Sequence, residues 1–209
     1  MASIDLSLFD AGDVFTPPPA HIRGFIFDCD GTLADTMPLH FEAWRHALQT
    51  HGASFEFSWS LFVSRAGMSL ERTVDELNLQ FSLRLDANSI ASAQRCYFAE
   101  HRSKVQAVVP VVEYAKLAAA RFPISVASGN EHSEVQATLA LIDVPELFPI
   151  IITPRDVVHG KPAPDMFLLA AERMGVPAAR CAVFEDAELG LEAARRAGML
   201  PVRVTPTSV

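Results

Sequence analysis

The chain has 209 residues, half of them hydrophobic and a fifth charged, with a net charge of -8. That length suits one domain, or one domain plus an insertion, and the apolar mass suffices for a full core. The acidic balance excludes nucleic acid and anionic lipid as expected partners, and any bound anion must find its positive charge locally.

The first residues, MASIDLSLFDAGDVFTPPPA, carry acidic groups and no basic stretch ahead of an apolar run, so they are not expected to be a signal peptide. Residues 1–21 read as an N-terminal appendage. Pro17, Pro18 and Pro19 make its end a stiff, non-helical connector. The roles open to it are packing on the core, joining a dimer, or staying disordered. IRGFIFD follows, a short apolar run that reads as a buried strand.

Residues 37–104 differ, with no convincing buried strand. LHFEAWRHALQTHG (39–52), SLERTVDELN (69–78) and ANSIASAQRCYFAEHRSK (87–104) are all amphipathic helices by pattern. They form a helical insertion of about 65–70 residues, placed to overhang the carboxyl end of the first strand. After it, helices and strands alternate. VVEYAKLAAARF (111–122) precedes the strand PISVAS (123–128), and EVQATLALI (134–142) precedes FPIIIT (148–153). DMFLLAAERMG (165–175) precedes CAVFED (181–186), and LGLEAARRAG (189–198) precedes the weaker strand PVRVT (201–205). Both of these last helices end at a glycine, which suits a helix C-terminus. The alternation predicts a parallel α/β sheet, Rossmann-like, covered on both faces. The expected core is therefore residues 22–36 and 105–209, with an inserted α-helical cap at 37–104.

Cys29, Cys96 and Cys181 lie far apart and form no CxxC pair, so neither a zinc site nor a disulfide framework is expected. Reduced thiols fit a cytoplasmic protein. No apolar run approaches the roughly 18–20 residues of a membrane span.

Ligands of open α/β sheets bind outside the carboxyl ends of the strands. The first strand ends in Asp28-Cys29-Asp30-Gly31-Thr32 and the second in Ser128-Gly129-Asn130. Lys161-Pro162 lies after the third, and Glu185-Asp186 ends the fourth. A cluster of carboxylates needs a hard cation, and magnesium with oxygen ligands is the natural choice. Lysine neutralises phosphate oxygens, while a serine hydroxyl and exposed backbone N–H groups such as that of Gly129 add hydrogen bonds. A carboxylate can attack phosphorus, and a second one two residues on can protonate the leaving oxygen and later activate water.

In order and spacing, DCDGT, VASGN, GKPAPD and FEDAELG resemble the four motifs of the haloacid dehalogenase superfamily. The position of the insertion resembles its helical-cap subclass. The nearest likeness is to the branch that holds β-phosphoglucomutase and small sugar phosphatases, including fructose-1-phosphatase-like enzymes. The resemblance covers about residues 22–204. It implies a magnesium-dependent phosphatase acting on a small phosphorylated metabolite through an aspartyl-phosphate. Asp28 would be the nucleophile and a metal ligand. Asp30 would be the acid/base, its carbonyl also on the metal. Ser128, Gly129 and Lys161 would hold the phosphoryl group, and Glu185 and Asp186 the Mg2+. Many relatives carry serine after the last acid pair where this chain has Ala187, which marks a branch and leaves the ligands intact.

A phosphomutase is the rival reading. In β-phosphoglucomutase the matching cap segment offers a lysine and an arginine for a second phosphate. Here the stretch is Ala66-Gly67-Met68-Ser69-Leu70, which favours the phosphatase, although Arg65 and Arg72 stand nearby as substitutes. A non-catalytic binding protein is the remote alternative. In the cap, His40 matches a histidine that helps position the acid/base in the mutase, and it reads equally as a packed helix residue beside Phe41 and Trp44. Asp35 and Thr36 lie in the expected hinge. A monomer is expected, with a dimer as the alternative.

Overall fold

In the computed structural model, residues 11–65, 68 and 70–205 are described. The cap positions Ala66, Gly67 and Ser69 lie outside them, as do residues 1–10 of the appendage. The chain divides into two compact units, one of residues up to Asp35 and from Gln106 onward, the other Thr36–Val105.

In the first unit the strands are β1 (Gly24–Phe27), β2 (Ile124–Ala127), β3 (Ile151–Ile152), β4 (Cys181–Glu185) and β5 (Leu200–Arg203). They form one sheet in the order β3-β2-β1-β4-β5, and every pairing is parallel. This is the parallel α/β sheet expected from the pattern. Every residue of β1, β2 and β4 is buried, which explains why these strands read as unbroken apolar runs and not as alternating ones. FPIIIT yields only the two residues of β3. Pro149 lacks an N–H, and β3 pairs on one side alone, as an edge strand does.

Side chains alternate across the sheet. Ile26 joins a cluster with Met166, Phe167, Ala170, Val183 and Ala193, so helices α7 (Asp165–Met174) and α8 (Glu188–Arg196) cover that face. Phe25 and Phe27 turn the other way. Phe27 stacks on Phe184 at 4.7 Å, and Phe25 meets Tyr114 of α5 (Val109–Ala119) edge-on at 5.7 Å. Burying one such ring fully contributes about 1.5–3 kcal/mol. The segment ahead of β1 reaches the same cluster. Phe15 is buried, 5.4 Å from Tyr114 and 5.1 Å from Phe184, and Thr205 N–H donates to the Val14 carbonyl at 2.8 Å. Of the roles open to the N-terminal segment, its described part takes packing on the core. Helix α6 (His132–Leu141) completes the unit, opened by a reciprocal pair of hydrogen bonds between Glu131 and Glu134.

The second unit is helical: α1 (Met37–Thr50), α2 (Trp59–Val63), α3 (Leu70–Phe81) and α4 (Ala87–His101). It has its own core, in which Trp44, Phe57, Phe62, Val74, Leu77 and Ile90 are buried together. Asp86 caps α4 by accepting from Ser89 N–H at 2.8 Å, and Ser58 caps α2 by accepting from Leu61 N–H at 3.2 Å. Among the described residues no helix is long and apolar enough to cross a membrane.

Candidate active site

The loops after β1, β2 and β4, and the one after β3, open at the carboxyl edge of the sheet. Asp28 leaves β1 with its N–H donating to the Phe184 carbonyl at 2.9 Å, so the backbone of β4 fixes its position. The chain then turns tightly. Leu33 and Ala34 N–H both donate to the Cys29 carbonyl at 3.0 Å, and Gly31 adopts φ +81°, a left-handed conformation that favours glycine. A Cβ on Gly31 would overlap the Asp186 carboxylate, so the turn packs directly on the loop after β4. Thr32 Oγ1 ties the two together by donating to Asp186 Oδ1 at 3.2 Å.

Lys161 is the pivot of the site. Its Nζ donates to Asp28 Oδ1 at 2.6 Å and to Glu185 Oε2 at 2.7 Å, and all three side chains are buried. Its ammonium also lies 5.2 Å from the ring centroid of Phe167. Glu185 is held from its other oxygen as well, where Oε1 accepts from Ala187 N–H at 3.2 Å. One carboxylate oxygen from each of Asp28, Glu185 and Asp186 fits within 4.8 Å of the others. That is an all-oxygen donor set able to hold a cation.

The charges do not balance. Burial, aided by nearby carboxylates and opposed by Lys161, pushes Asp28 up to about 6, Asp186 to about 7 and Glu185 to about 8. Burial alone would depress Lys161, but Asp28 and Glu185 reverse this and hold it above its ordinary value. One lysine thus faces three carboxylates and leaves a surplus of negative charge. Cys29 sits beside this cluster, fully buried. Burial first, then Asp30 and Asp28, push its thiol well up, which keeps it protonated and inert as a nucleophile.

Ser128 follows β2, buried, with its N–H donating to the Ile152 carbonyl at 3.0 Å. Gly129 is exposed, and a Cβ there would meet nothing within 4 Å. Asn130 N–H donates to Ser128 Oγ at 3.1 Å, and Asn130 Nδ2 donates to Asp30 Oδ2 at 2.8 Å. The β2 loop therefore reaches the β1 loop through Asn130.

The residues singled out in the helical insertion lie in the second unit. Thr36 precedes α1 and is fully buried, its carbonyl accepting from His40 N–H at 2.9 Å. His40 stacks on Phe98 at 4.2 Å, with Nδ1 3.1 Å from Gln94 Nε2, so helix α4 fixes its ring. Arg65 donates to Gln80 Oε1 at 2.5 Å, to Ser64 Oγ at 3.0 Å and to the Leu61 carbonyl at 3.1 Å. Arg72 pairs with Glu76 at 3.3 Å.

Three contributors carry no role in the sequence reading. Thr32 and Asn130 stand inside motifs noticed for their neighbours. Gly190 lies within α8, where a Cβ would overlap the Glu185 carboxylate. A glycine inside a helical pattern is the signal that points to it, since close approach is a common reason for one.

Residues 22–198 match the haloacid dehalogenase-like hydrolase family. The chain is 35% identical over 192 residues to "Fructose-1-phosphate phosphatase YqaB" of Escherichia coli (strain K12), covering 87% of this chain and 95% of that one. It is 30% identical to "Beta-phosphoglucomutase" of Bacillus subtilis (strain 168), over 88% of this chain and 83% of that one. Among solved structures, a hydrolase from Pseudomonas syringae superposes with a TM-score of 0.74 at 26% identity, covering 86% of this chain and 82% of that one. The parallel sheet, the acids at its carboxyl edge and a family match across most of the chain agree, and the protein belongs to the haloacid dehalogenase-like hydrolases.

Proposed function

We propose that the chain is a magnesium-dependent phosphatase that hydrolyses a small phosphorylated metabolite, a sugar phosphate of the fructose 1-phosphate kind, through an aspartyl-phosphate on Asp28. The observation that carries this is the buried Lys161 bridging Asp28 and Glu185, with Asp186 in the same cluster. The donor set fits magnesium. It is all oxygen, it is rigidly held, and its surplus negative charge is what a hard dication neutralises. Asp28, Glu185, Asp186 and the Asp30 carbonyl would hold it. When bound, the ion offsets charge on the phosphoryl oxygens and lowers repulsion between phosphate and nucleophile.

The chain's own groups do the rest. Lys161, the Ser128 hydroxyl and the Gly129 N–H bind the phosphoryl oxygens, with Lys161 also aiming Asp28. An Asp28 carboxylate oxygen attacks phosphorus. The ester P–O bond breaks, and Asp30 gives its proton to the departing alcohol oxygen. Asp30, now a carboxylate, takes a proton from a water that attacks the same phosphorus. The bond from phosphorus to Asp28 breaks, and phosphate leaves with both aspartates restored. In this reading the second unit acts as a cap that selects the alcohol and excludes water during attack.

The sugar phosphate assignment is supported by the E. coli relative, which is named a fructose-1-phosphate phosphatase. The B. subtilis relative favours a second reading, a β-phosphoglucomutase-like phosphomutase. The cap cations speak against it, because Arg65 and Arg72 are both engaged within the second unit. The experiment is incubation with Mg2+ and a panel of sugar phosphates, measuring free phosphate and isomerised product together. Phosphate release from a hexose phosphate is expected. Conversion of β-glucose 1-phosphate to glucose 6-phosphate with little free phosphate would establish the mutase instead. Asp28→Asn should abolish turnover with the fold intact, and wild-type rates in that variant would remove Asp28 as the nucleophile.

A further inference from the structure

We infer that Asn130 is a positioning residue for the acid/base Asp30, and that it acts on departure of the alcohol and not on binding of the phosphoryl group. The inference rests on the phosphatase reading above. Its basis is one contact between parts of the chain 100 residues apart. Asn130 Nδ2 donates to Asp30 Oδ2 at 2.8 Å, a good length for a hydrogen bond to a carboxylate. An ionised carboxylate only accepts, so the NH2 end of the amide must face it.

An acid that hands a proton to a leaving oxygen must offer one defined oxygen at the right place. Rotation about its last bond exchanges the two. The Asn130 amide removes that ambiguity. The oxygen that accepts an N–H is the less basic of the pair, so Oδ2 is the anchored oxygen and Oδ1 carries the transferable proton. The anchor is itself fixed, since Asn130 N–H donates to Ser128 Oγ at 3.1 Å. Ser128 and Asn130 thus divide the work of one short loop. The first faces the phosphoryl group in the proposed mechanism, and the second, two residues on, sets the acid. Proton transfer to the leaving group contributes about 100- to 10,000-fold to such reactions, and a misplacement of about 1 Å can cost about 100-fold.

The test compares phenyl phosphate with p-nitrophenyl phosphate, which share shape and differ in how much the leaving oxygen needs a proton. The measured quantity is kcat/KM, which reports events up to departure of the phenol. With Asn130→Ala, kcat/KM for phenyl phosphate should fall about 10- to 100-fold, while that for p-nitrophenyl phosphate changes by less than about 3-fold. Asn130→Asp keeps the shape of the side chain and loses the donor, so it should show the same split even where the alanine variant folds poorly. Asp30→Ala is the reference and should show the split more strongly. Equal losses on both substrates, or none, in both Asn130 variants would overturn the inference while leaving Asp30 as the acid. Absence of the split in Asp30→Ala would remove the acid role itself, and the inference with it.

Discussion

Gly190→Ala tests how tightly α8 is built against the site. In an ordinary helix this exchange stabilises by up to about 1 kcal/mol, because alanine has less backbone freedom to lose. Here the new Cβ would overlap Cγ, Cδ and Oε2 of Glu185. Glu185 cannot step aside cheaply. It is 2% exposed, Oε2 is bound to Lys161 at 2.7 Å, and Oε1 accepts from Ala187 N–H at 3.2 Å. Losing the backbone hydrogen bond costs about 1 kcal/mol. Separating a buried ion pair costs about 3–5 kcal/mol, of which the lower end applies because Lys161 keeps Asp28. After subtracting the helix gain, a net loss of about 2–4 kcal/mol is expected. For a chain of this size that lowers Tm by about 5–15 °C.

The assay is a double-mutant cycle read by thermal unfolding and phosphate release. Glu185→Ala deletes the atoms the new Cβ would strike. In that background Gly190→Ala should become neutral or stabilising by up to about 1 kcal/mol, a coupling that only neighbours in contact show. Equal cost in both backgrounds would refute the reasoning, as would a Gly190→Ala protein more stable than wild type with full activity.

Removal of divalent cations by a chelator should stop phosphate release, and Mg2+ at about 100 times its Kd should stabilise the fold by about 2.7 kcal/mol, or about 5–10 °C in Tm; a Tm unmoved by Mg2+ would count against the carboxylate cluster as its site. Phe15→Ala should cost about 3–5 kcal/mol, because its ring is buried against Tyr114 and Phe184, and a loss under about 1 kcal/mol in denaturant unfolding would mean that the N-terminal segment does not belong to the core. Asp156 accepts from Thr153 N–H at 2.9 Å and pairs with Arg173 at 2.9 Å, and these contacts, the backbone one first, hold its carboxyl below the usual range. A depressed folded pKa gives stability that is present above the unfolded pKa and lost as pH falls through the folded one, so Asp156→Ala should cost about 1 kcal/mol at pH 7 and progressively less below about pH 4, as seen in parallel pH titrations of Tm.

The site was legible where a chemical group follows directly from a buried strand. β1, β2 and β4 are covered on both faces, so each reads as an apolar run, and the polar residue at its end or directly after it marks the carboxyl edge of the sheet. Asp28, Ser128 and Glu185 all announce themselves this way. What joins them did not. Asn130 and Asp30 meet across 100 residues, and no local pattern encodes that contact. Phe15 lies in a segment with neither helical nor strand period, so nothing there signalled its burial among aromatic rings. In the helical unit, the five residues of α2 are too few to show a period, so no helix was expected there. β3 was overestimated because FPIIIT has the composition of a strand, while Pro149 and an edge position restrict the pairing.

The same residues explain why the site sits where it does and not inside the sheet. Three carboxylates with raised pKa values, a buried lysine, a left-handed Gly31 and a glycine within α8 each oppose folding or leave it unassisted. A buried charge without full compensation costs several kcal/mol, comparable with the whole stability of a domain. Such a cluster persists only on a frame that is already fixed. Here the fixing comes from elements with no chemistry of their own. The stacked Phe27 and Phe184 lock β1 to β4, the Asp28 N–H is satisfied by the β4 backbone, and Met166, Phe167 and Ala170 brace the opposite face. The repulsion left over among the acids is then available for use. In the proposed mechanism a cation that relieves it would bind with the energy that folding had to store, and a phosphate that follows would meet a lysine already aimed at Asp28.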